Sequence, residues 1–263
     1  MSEDAKEQTG ILKSNEHSSV RRIVGVISGK GGVGKSLVTA MLAVLAQRDG
    51  YSVGIMDADI TGPSIPQIFG LRSKAQYSEL GVFPAKTEER ISVISSQLLM
   101  EQADMPVAWR GPLIADVVKQ FWTDVSWGDI AYMFIDMPPG TGDVPLTVFQ
   151  ALPLDGVIVV TTPQELVQLT VRKAYRMARE MGIPVLGIVE NMSYVKYPGS
   201  NDTEFKIFGE GQSERLAAEW ETEVLGRIPL DAALASLCDR GRIEFMENTC
   251  LREGYQKLIQ RLN

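Results

Sequence analysis

The sequence predicts an α/β fold, with a mostly parallel sheet that is flanked by helices on both faces. Short apolar runs alternate with longer stretches of helical period along the 263 residues, which is typical of parallel strands joined by crossover helices. Several of these runs are β-branched and apolar throughout, as strands covered on both faces must be. A glycine-rich loop directly follows the first run. We expect a polar, flexible N-terminal tail over residues 1–19 and a single domain over residues 20–263.

The individual elements follow in order along the chain. The predicted strands are Ile23–Ser28, Val53–Asp57, Ile91–Ser95, Tyr132–Asp136, Val157–Thr161, Val185–Glu190 and Val224–Arg227. The predicted helices are Lys35–Arg48, Pro112–Phe121, Glu165–Met181, Glu214–Trp220 and Leu251–Leu262. Two segments interrupt this alternation. Gly81–Ser95 is predicted to form a hairpin turning at Glu88 and Glu89, and Tyr194–Ile207 an irregular excursion.

The loop between the first strand and the first helix matches the P-loop pattern GxxxxGK[ST] in the context that this pattern requires. Its residues are Gly29, Lys30, Gly31, Gly32, Val33, Gly34, Lys35 and Ser36. Glycines let the backbone wrap around phosphate oxygens, and the following helix adds its positive N-terminal end. We therefore expect Lys35 to bind the β- and γ-phosphates and the Ser36 hydroxyl to ligate Mg²⁺.

Carboxylates end two of the predicted strands. Asp57 ends the second strand and Asp59 follows it, and Asp136 ends the strand that begins at Tyr132. Because the carboxyl ends of parallel strands meet at one edge of the sheet, these groups should face the P-loop. Asp136 suits Mg²⁺ held through water. Asp59 is the candidate for orienting the attacking water, since the one histidine, His17, lies in the expected tail.

Composition excludes several classes of function. The formal charge of −7 disfavours a non-specific DNA-binding protein, and no run of 18 apolar residues is present to span a membrane. The N-terminus lacks the pattern of a secretory signal, and the chain has two cysteines, Cys238 and Cys250. These features predict a reducing, cytoplasmic environment and neither nucleic acid nor membrane as a partner.

An additional lysine in the loop, Lys30, indicates a particular class of P-loop proteins. With Lys30 the loop reads KGGVGKS, which resembles the deviant Walker A signature of the MinD/ParA/NifH class of P-loop ATPases. Seven further motifs are similar to one branch of that class: DADITGPS (57–64), WRGP (109–112), DMPPGTGD (136–143), TTPQ (161–164), ENMSY (190–194), IFGEG (207–211) and GRIPLD (226–231). From about residue 22 to 241 the chain thus resembles the Mrp-type (ApbC-like) iron–sulfur cluster carrier ATPases.

The resemblance implies an ATP- and Mg²⁺-dependent homodimer that serves an unidentified client protein. Lys30 would reach across the dimer to the partner's phosphates. Asp57 and Asp59 would form switch I, and Asp136–Asp143 would cover the Mg²⁺ site and switch II. A cation supplied in this way can raise the rate of phosphoryl transfer by about 10³–10⁵.

The resemblance also implies where the base binds. Asn191 would read the adenine edge, and the loop at Pro229 would pack beside the base. Leu37 stands where relatives carry a hydroxyl group, so backbone N–H groups would hold the α-phosphate here.

The cluster ligands depart from the family pattern. Carriers of this family place C-x-x-C shortly after ENMSY, and two subunits share one [4Fe–4S] cluster. Here Tyr197 and Ser200 stand at those positions, and neither residue is a good substitute for a thiolate. Cys238 and Cys250 match no ligand spacing. The sequence therefore supports nucleotide chemistry and provides no matching ligand set for a [4Fe–4S] cluster.

Three interpretations of the function stay open, and one of them is a cargo-binding scaffold that binds nucleotide but barely hydrolyses it. The first is an ATPase related to cluster carriers that acts in delivery or assembly. The alternative is a MinD/ParA-like positioning or regulatory protein, in which ATP switches a dimer without a cluster. The C-terminal helix bears on the alternative, because MinD relatives bind membranes with such a helix. Here we expect its apolar side to dock on the domain.

Overall fold

The computed structural model describes residues 10–99, 111–196, 204–247 and 250–263. The described strands are β1 (Ser18–Ser28), β2 (Val53–Asp57), β3 (Gln76–Ser78), β4 (Gly81–Phe83), β5 (Ala85–Lys86), β6 (Ser92–Ile94), β7 (Gly128–Asp136), β8 (Gly156–Thr161), β9 (Val185–Glu190), β10 (Val195–Lys196), β11 (Glu204–Phe205) and β12 (Val224–Arg227). Eight of them form one sheet in the order β12-β9-β8-β1-β7-β2-β6-β5. Its neighbouring strands are parallel except β5 and β6, which are antiparallel.

Helices connect these strands. The described α-helices are α1 (Lys35–Arg48), α2 (Ile65–Ile68), α3 (Ser96–Leu99), α4 (Gly111–Thr123), α5 (Asp143–Ala151), α6 (Glu165–Glu180), α7 (Ser213–Glu219), α8 (Ala232–Asp239) and α9 (Arg252–Leu262). The predicted α/β class with a mostly parallel sheet is confirmed.

The centre of the sheet is buried on both faces. Strands β2 and β8 are buried along their whole length, and so is the second half of β1. Helix α1 is buried continuously from Val38 to Ala46, because it packs on β1, β2 and β7 on one side and meets α2 and α9 on the other. The P-loop at the start of α1 is therefore held between a rigid sheet and a fully packed helix.

The N-terminal boundary differs from the prediction. Strand β1 begins at Ser18 rather than Ile23, and its first residues pair with β7 from Gly128 onward. Before it, the N–H of Leu12 donates to the carbonyl of Ala151 at 2.8 Å, and the Trp122 indole N–H donates to the carbonyl of Leu12 at 2.9 Å. The described part of the expected tail therefore packs against the domain.

Helices α5 and α8 are among those near the site that were not predicted. Helix α5 carries Pro145 in its first turn, a position that tolerates proline. Helix α8 is capped by Asp231, whose carboxylate accepts hydrogen bonds from the N–H groups of Ala233 and Leu234. The hairpin within Gly81–Ser95 is confirmed as β5 and β6, and the segment after Tyr194 contains the antiparallel pair β10 and β11.

A close backbone contact joins the ends of α2 and α8. Gly70 and Gly241 have φ angles of 65° and 69°, and a Cβ atom at residue 241 would lie 2.4 Å from the Cα atom of Gly70. Neither position has room for a side chain. Helix α8 is thereby placed across the P-loop edge of the sheet.

The C-terminal helix docks on the domain as expected. The side chains of Tyr255, Leu258, Ile259 and Leu262 are buried, and α9 packs on β9, β12 and α1. Within the described ranges, no helix combines the length and the apolar character needed to cross a membrane.

Candidate nucleotide-binding site

The P-loop has the backbone conformation of a phosphate cradle. Gly34 has a φ of 83°, and a Cβ atom there would lie 2.0 Å from Nδ2 of Asn191. A Cβ atom at Gly29 would lie 2.4 Å from backbone atoms of Thr170 and Val171 in α6. Neighbouring atoms therefore leave no room for a side chain at either position. Gly34 also has a left-handed backbone conformation that favours glycine. The predicted P-loop thus folds as a packed loop that leads directly into α1.

Four predicted residues meet at the start of α1. Nζ of Lys35 lies 2.7 Å from Oδ1 of Asp136, and the Ser36 hydroxyl donates to Oδ2 of the same carboxylate at 2.5 Å. Nζ of Lys35 also lies 3.9 Å from Oδ2 of Asp59. The residues that the sequence assigned to phosphate and Mg²⁺ are therefore adjacent in space.

Asp136 receives a further hydrogen bond that the sequence did not predict. The hydroxyl of Thr39, one turn into α1, donates to Oδ1 of Asp136 at 3.0 Å. The Asp136 side chain is fully buried, and a buried charge is costly unless it is paired and hydrogen-bonded. One ammonium group and two hydroxyl groups supply these partners. The signal for Thr39 was its position four residues after Lys35, which places both on one face of the helix.

The two aspartates at the end of β2, Asp57 and Asp59, occupy different environments. Asp57 is fully buried and accepts hydrogen bonds from the Ser95 hydroxyl at 3.0 Å and from the N–H of Asp59 at 3.3 Å. Burial and the nearby charge of Asp136 raise the pKa of Asp57 well above its usual value. Asp59 is partly exposed at the cavity, and burial raises its pKa as well. Asp57 thus supports the loop, and Asp59 faces the space where a nucleotide would bind.

Lys30 lies on the surface of the loop. Its side chain is exposed, and Nζ lies 3.5 Å from Oε1 of Gln164, at the start of α6. The backbone at Lys30 is fixed from below, because the Ser28 hydroxyl donates to its carbonyl at 3.0 Å. The Lys30 side chain is thus exposed, while its backbone is held by a hydrogen bond.

Asn191 contacts the P-loop directly. The side chain is buried, and its Nδ2 donates to the carbonyl of Val33 at 2.9 Å. Its Oδ1 accepts a hydrogen bond from the N–H of Met192 at 2.9 Å. In the structure, the Asn191 side chain therefore supports the P-loop through its hydrogen bond to Val33. Its reading of the adenine edge stays a prediction.

A cavity of about 440 Å³ opens over the loop. Its walls come from the P-loop with Leu37, from the segment between Asp59 and Ile68, from Pro139, and from one face of α8. Pro229 does not line it. Pro229 lines a second cavity of about 770 Å³, which uses other residues of α8. Its predicted packing against the base thus stays a prediction.

The donor chemistry at the loop fits Mg²⁺. Ser36 and Asp136 present oxygen atoms next to each other, with the Asp59 carboxylate close by. Hard oxygen ligands are those that Mg²⁺ prefers, and it is commonly bound through few protein ligands together with substrate phosphates. Ser36, Asp59 and Asp136 would hold the ion.

Comparison with known proteins decides the family. The model described as "ParA: NUBPL iron-transfer P-loop NTPase" matches residues 19–263. The chain belongs to this family. Over 236 residues it is 40% identical to an iron–sulfur cluster carrier protein of Clostridium perfringens, covering 87% of this chain and 82% of the relative. It is 41% identical over 247 residues to the carrier protein of Methanocaldococcus jannaschii, covering 93% and 85%.

Solved structures agree with this assignment. A nucleotide-binding protein from Archaeoglobus fulgidus, solved in complex with ADP, is 44% identical with a TM-score of 0.78, covering 87% of this chain and 90% of that one. The cell division ATPase MinD of Pyrococcus furiosus has a TM-score of 0.65 at 19% identity, covering 92% and 100%, which shows the shared fold. The resemblance to iron–sulfur cluster carriers of the MinD/ParA class is therefore confirmed.

Tyr197 and Ser200, which stand where the family pattern has cysteines, both lie outside the described residues. Among the residues that the structure does describe, no group of three or more His, Cys, Asp or Glu side chains is arranged to hold a metal ion. Cys238 and Cys250 line different cavities, and burial raises the pKa of both thiols, that of Cys250 to about 11. Burial therefore disfavours the thiolate form of both cysteines in the protein without a bound metal.

Proposed function

We propose that this iron-transfer family member is a Mg²⁺-dependent ATPase that works as a homodimer in the cytoplasm and serves iron–sulfur cluster assembly through a client protein. The observation that carries the proposal is the convergence of Lys35, Ser36 and Asp136 at the start of α1, under a cavity of about 440 Å³. The ADP complex of the relative from Archaeoglobus fulgidus supports it.

The chain's own residues would divide the chemistry as follows. Lys35 neutralises charge on the β- and γ-phosphates, and the loop N–H groups hold their oxygens. Asp59 lines the cavity within 3.9 Å of the Lys35 ammonium, so it orients the attacking water close to the site of charge development. When bound, Mg²⁺ supplies further neutralisation of the phosphate oxygens.

Lys30 would complete the site from a second copy of the chain. Its exposed side chain meets only the amide oxygen of Gln164 among the hydrogen bonds found in the described residues, so little has to be broken for it to reach a partner. A cation delivered in trans stabilises charge that develops only in the transition state. Hydrolysis should therefore depend on dimer formation.

The test is Mg-ATP hydrolysis by the purified protein, followed over a range of protein concentrations. Turnover per chain that rises with concentration, and that disappears in Lys35→Ala protein, is the expected result. Turnover that stays constant well below any dimerisation midpoint would contradict the dimeric mechanism. Absence of both binding and hydrolysis of ATP would overturn the proposal as a whole.

A second candidate function is an ATP-dependent regulatory or positioning switch without a cluster. The observation that favours it is the presence of Tyr197 and Ser200 where the family pattern has thiolates. Anaerobic iron–sulfur reconstitution separates the two candidates. A stable brown dimer containing iron and sulfide supports [4Fe–4S] carriage, and Cys238→Ser and Cys250→Ser then test the remaining thiols. A colourless protein that still hydrolyses Mg-ATP supports the switch.

A further inference from the structure

One face of α8 forms a wall of the P-loop cavity. Ala235, Cys238 and Asp239 all line this cavity, and their spacing of three and four residues puts them on the same side of the helix. Leu37 and Ile68 contribute apolar surface to the same space. The wall is held against the end of α2, because Gly241 contacts Gly70 directly after α8 ends.

The P-loop lines one end of this cavity, and this end would hold the phosphates of a nucleotide. A nucleotide anchored there must put its uncharged sugar and base into the remainder, which α8 bounds. An ionised carboxylate is only an acceptor of hydrogen bonds and repels phosphate, so its partner must be a neutral or cationic donor. Asp239 is exposed, and in the described part of the chain its carboxylate makes no hydrogen bond or ion pair.

We infer that Asp239 recognises the ribose of the nucleotide by accepting hydrogen bonds from its hydroxyl groups, with Ala235 and Cys238 packing against the nucleoside. This inference rests on the proposed nucleotide-binding function and adds a determinant of ligand specificity to it. The small side chains at residues 235 and 238 leave room for the sugar. Asp239 ends the helix, so its replacement removes no packing from the core.

Binding of nucleotide analogues tests the role of Asp239. The dissociation constants of Mg-ADP, Mg-2′-deoxy-ADP and Mg-3′-deoxy-ADP are measured by calorimetry for the wild type, Asp239→Ala and Asp129→Ala. Asp129 is the matched control, because it is an exposed carboxylate near the start of β7, at the end of the strand away from Asp136 and the P-loop. A hydrogen bond to a charged group should make the wild type prefer ADP over at least one deoxy analogue by about tenfold.

In Asp239→Ala protein, ADP binding should weaken by about tenfold and the preference for the ribose form should disappear. Asp129→Ala should keep both the affinity for ADP and the preference for the ribose form. If Asp239→Ala keeps the wild-type preference, or weakens all three ligands equally, the assignment to the ribose is overturned.

The two cysteines provide an independent measurement on unmodified protein. Alkylation by iodoacetamide is followed at each cysteine by mass spectrometry at mildly alkaline pH. Saturating Mg-ADP should slow the reaction at Cys238 several-fold, and the rate at Cys250 reports whether the base also enters the cavity lined by Pro229. Bound ADP without protection of Cys238 would overturn the position of α8 against the nucleoside. Failure of the wild type to bind ADP at all would instead overturn the proposed function, and the inference with it.

Discussion

Nζ of Lys35 lies 2.7 Å from Oδ1 of Asp136, and the two side chains are 7% and 0% exposed. The pair joins the first residue of α1 to the last residue of β7. A buried ion pair has a high desolvation cost, and removal of one partner leaves the other charge uncompensated. The phosphate-binding lysine is therefore also part of the structural core.

This relationship predicts non-additive effects on stability. Lys35→Met should lower the free energy of unfolding by about 3–5 kcal/mol, because Asp136 keeps a buried charge. Asp136→Asn in the same chain should restore a large part of that loss. Urea denaturation of the two single variants and the double variant measures the coupling. Ser36→Ala is a control that removes one hydroxyl donor and no charge. Additive effects would contradict the pairing.

Lys30 should affect turnover and leave binding intact. Lys30→Ala is expected to bind Mg-ATP as the wild type does and to lose about 10³–10⁵ in hydrolysis rate, since the cation acts in the transition state. Lys35→Ala should weaken both. Gln164→Ala removes the partner of Lys30 within the chain and should retain turnover. Single-turnover hydrolysis with a separate binding assay checks this, and a normal rate in Lys30→Ala would exclude the cross-dimer role.

Asn191→Ala distinguishes two roles of the buried amide. Its bond to the Val33 carbonyl supports the P-loop, so loss of the amide should weaken ADP and GDP binding to a similar extent, by about tenfold. A residue that reads the adenine edge would instead affect ADP selectively. Titration of both nucleotides into the wild type and the variant gives the ratio, and a changed ratio would favour base recognition.

Asp57 should make stability depend on pH. Its pKa is raised in the folded protein, so the folded state binds this proton more tightly than the unfolded chain does. The stabilisation that this proton gives the folded protein is complete below the unfolded pKa of about 3.9, and it is lost as pH rises through the raised pKa of Asp57. Asp57→Asn keeps an oxygen acceptor for Ser95 and cannot acquire the charge.

The Asp57→Asn variant should therefore unfold at a higher temperature than the wild type near neutral pH, and the difference should vanish toward acid. For a domain of this size each 1 kcal/mol corresponds to about 2–4 °C. Thermal unfolding between acid and neutral pH measures it. Asp116→Asn, at an exposed position of α4, is the control and should show a smaller difference. A difference that grows toward acid would refute the argument.

Much of the architecture around the P-loop could be predicted from sequence, because the signals there are local. The run Val53–Asp57 is apolar and ends in a carboxylate, and it forms β2 with the predicted bounds. Helix α1 likewise begins and ends as predicted, since the motif sets its start and its apolar residues continue to Ala46.

The wall formed by α8 could not be assigned in the same way. Its cap at Asp231 is a local signal, but the face that it presents to the cavity depends on the contact between Gly70 and Gly241, which are far apart in sequence. The partner of Asn191 was missed for the same reason, because Val33 lies 158 residues away along the chain. Long-range contacts of this kind follow from packing, and no local pattern reports them.

The contact between Gly70 and Gly241 has a mechanical consequence. Helix α2 begins soon after the loop that carries Asp59, and its far end abuts the backbone that follows α8. No side chains lie between the two backbones, so one backbone cannot move toward the other without a steric clash. We expect any displacement of the Asp59 loop during the nucleotide cycle to be transmitted to α8, so that the phosphate end and the sugar end of the cavity open and close together.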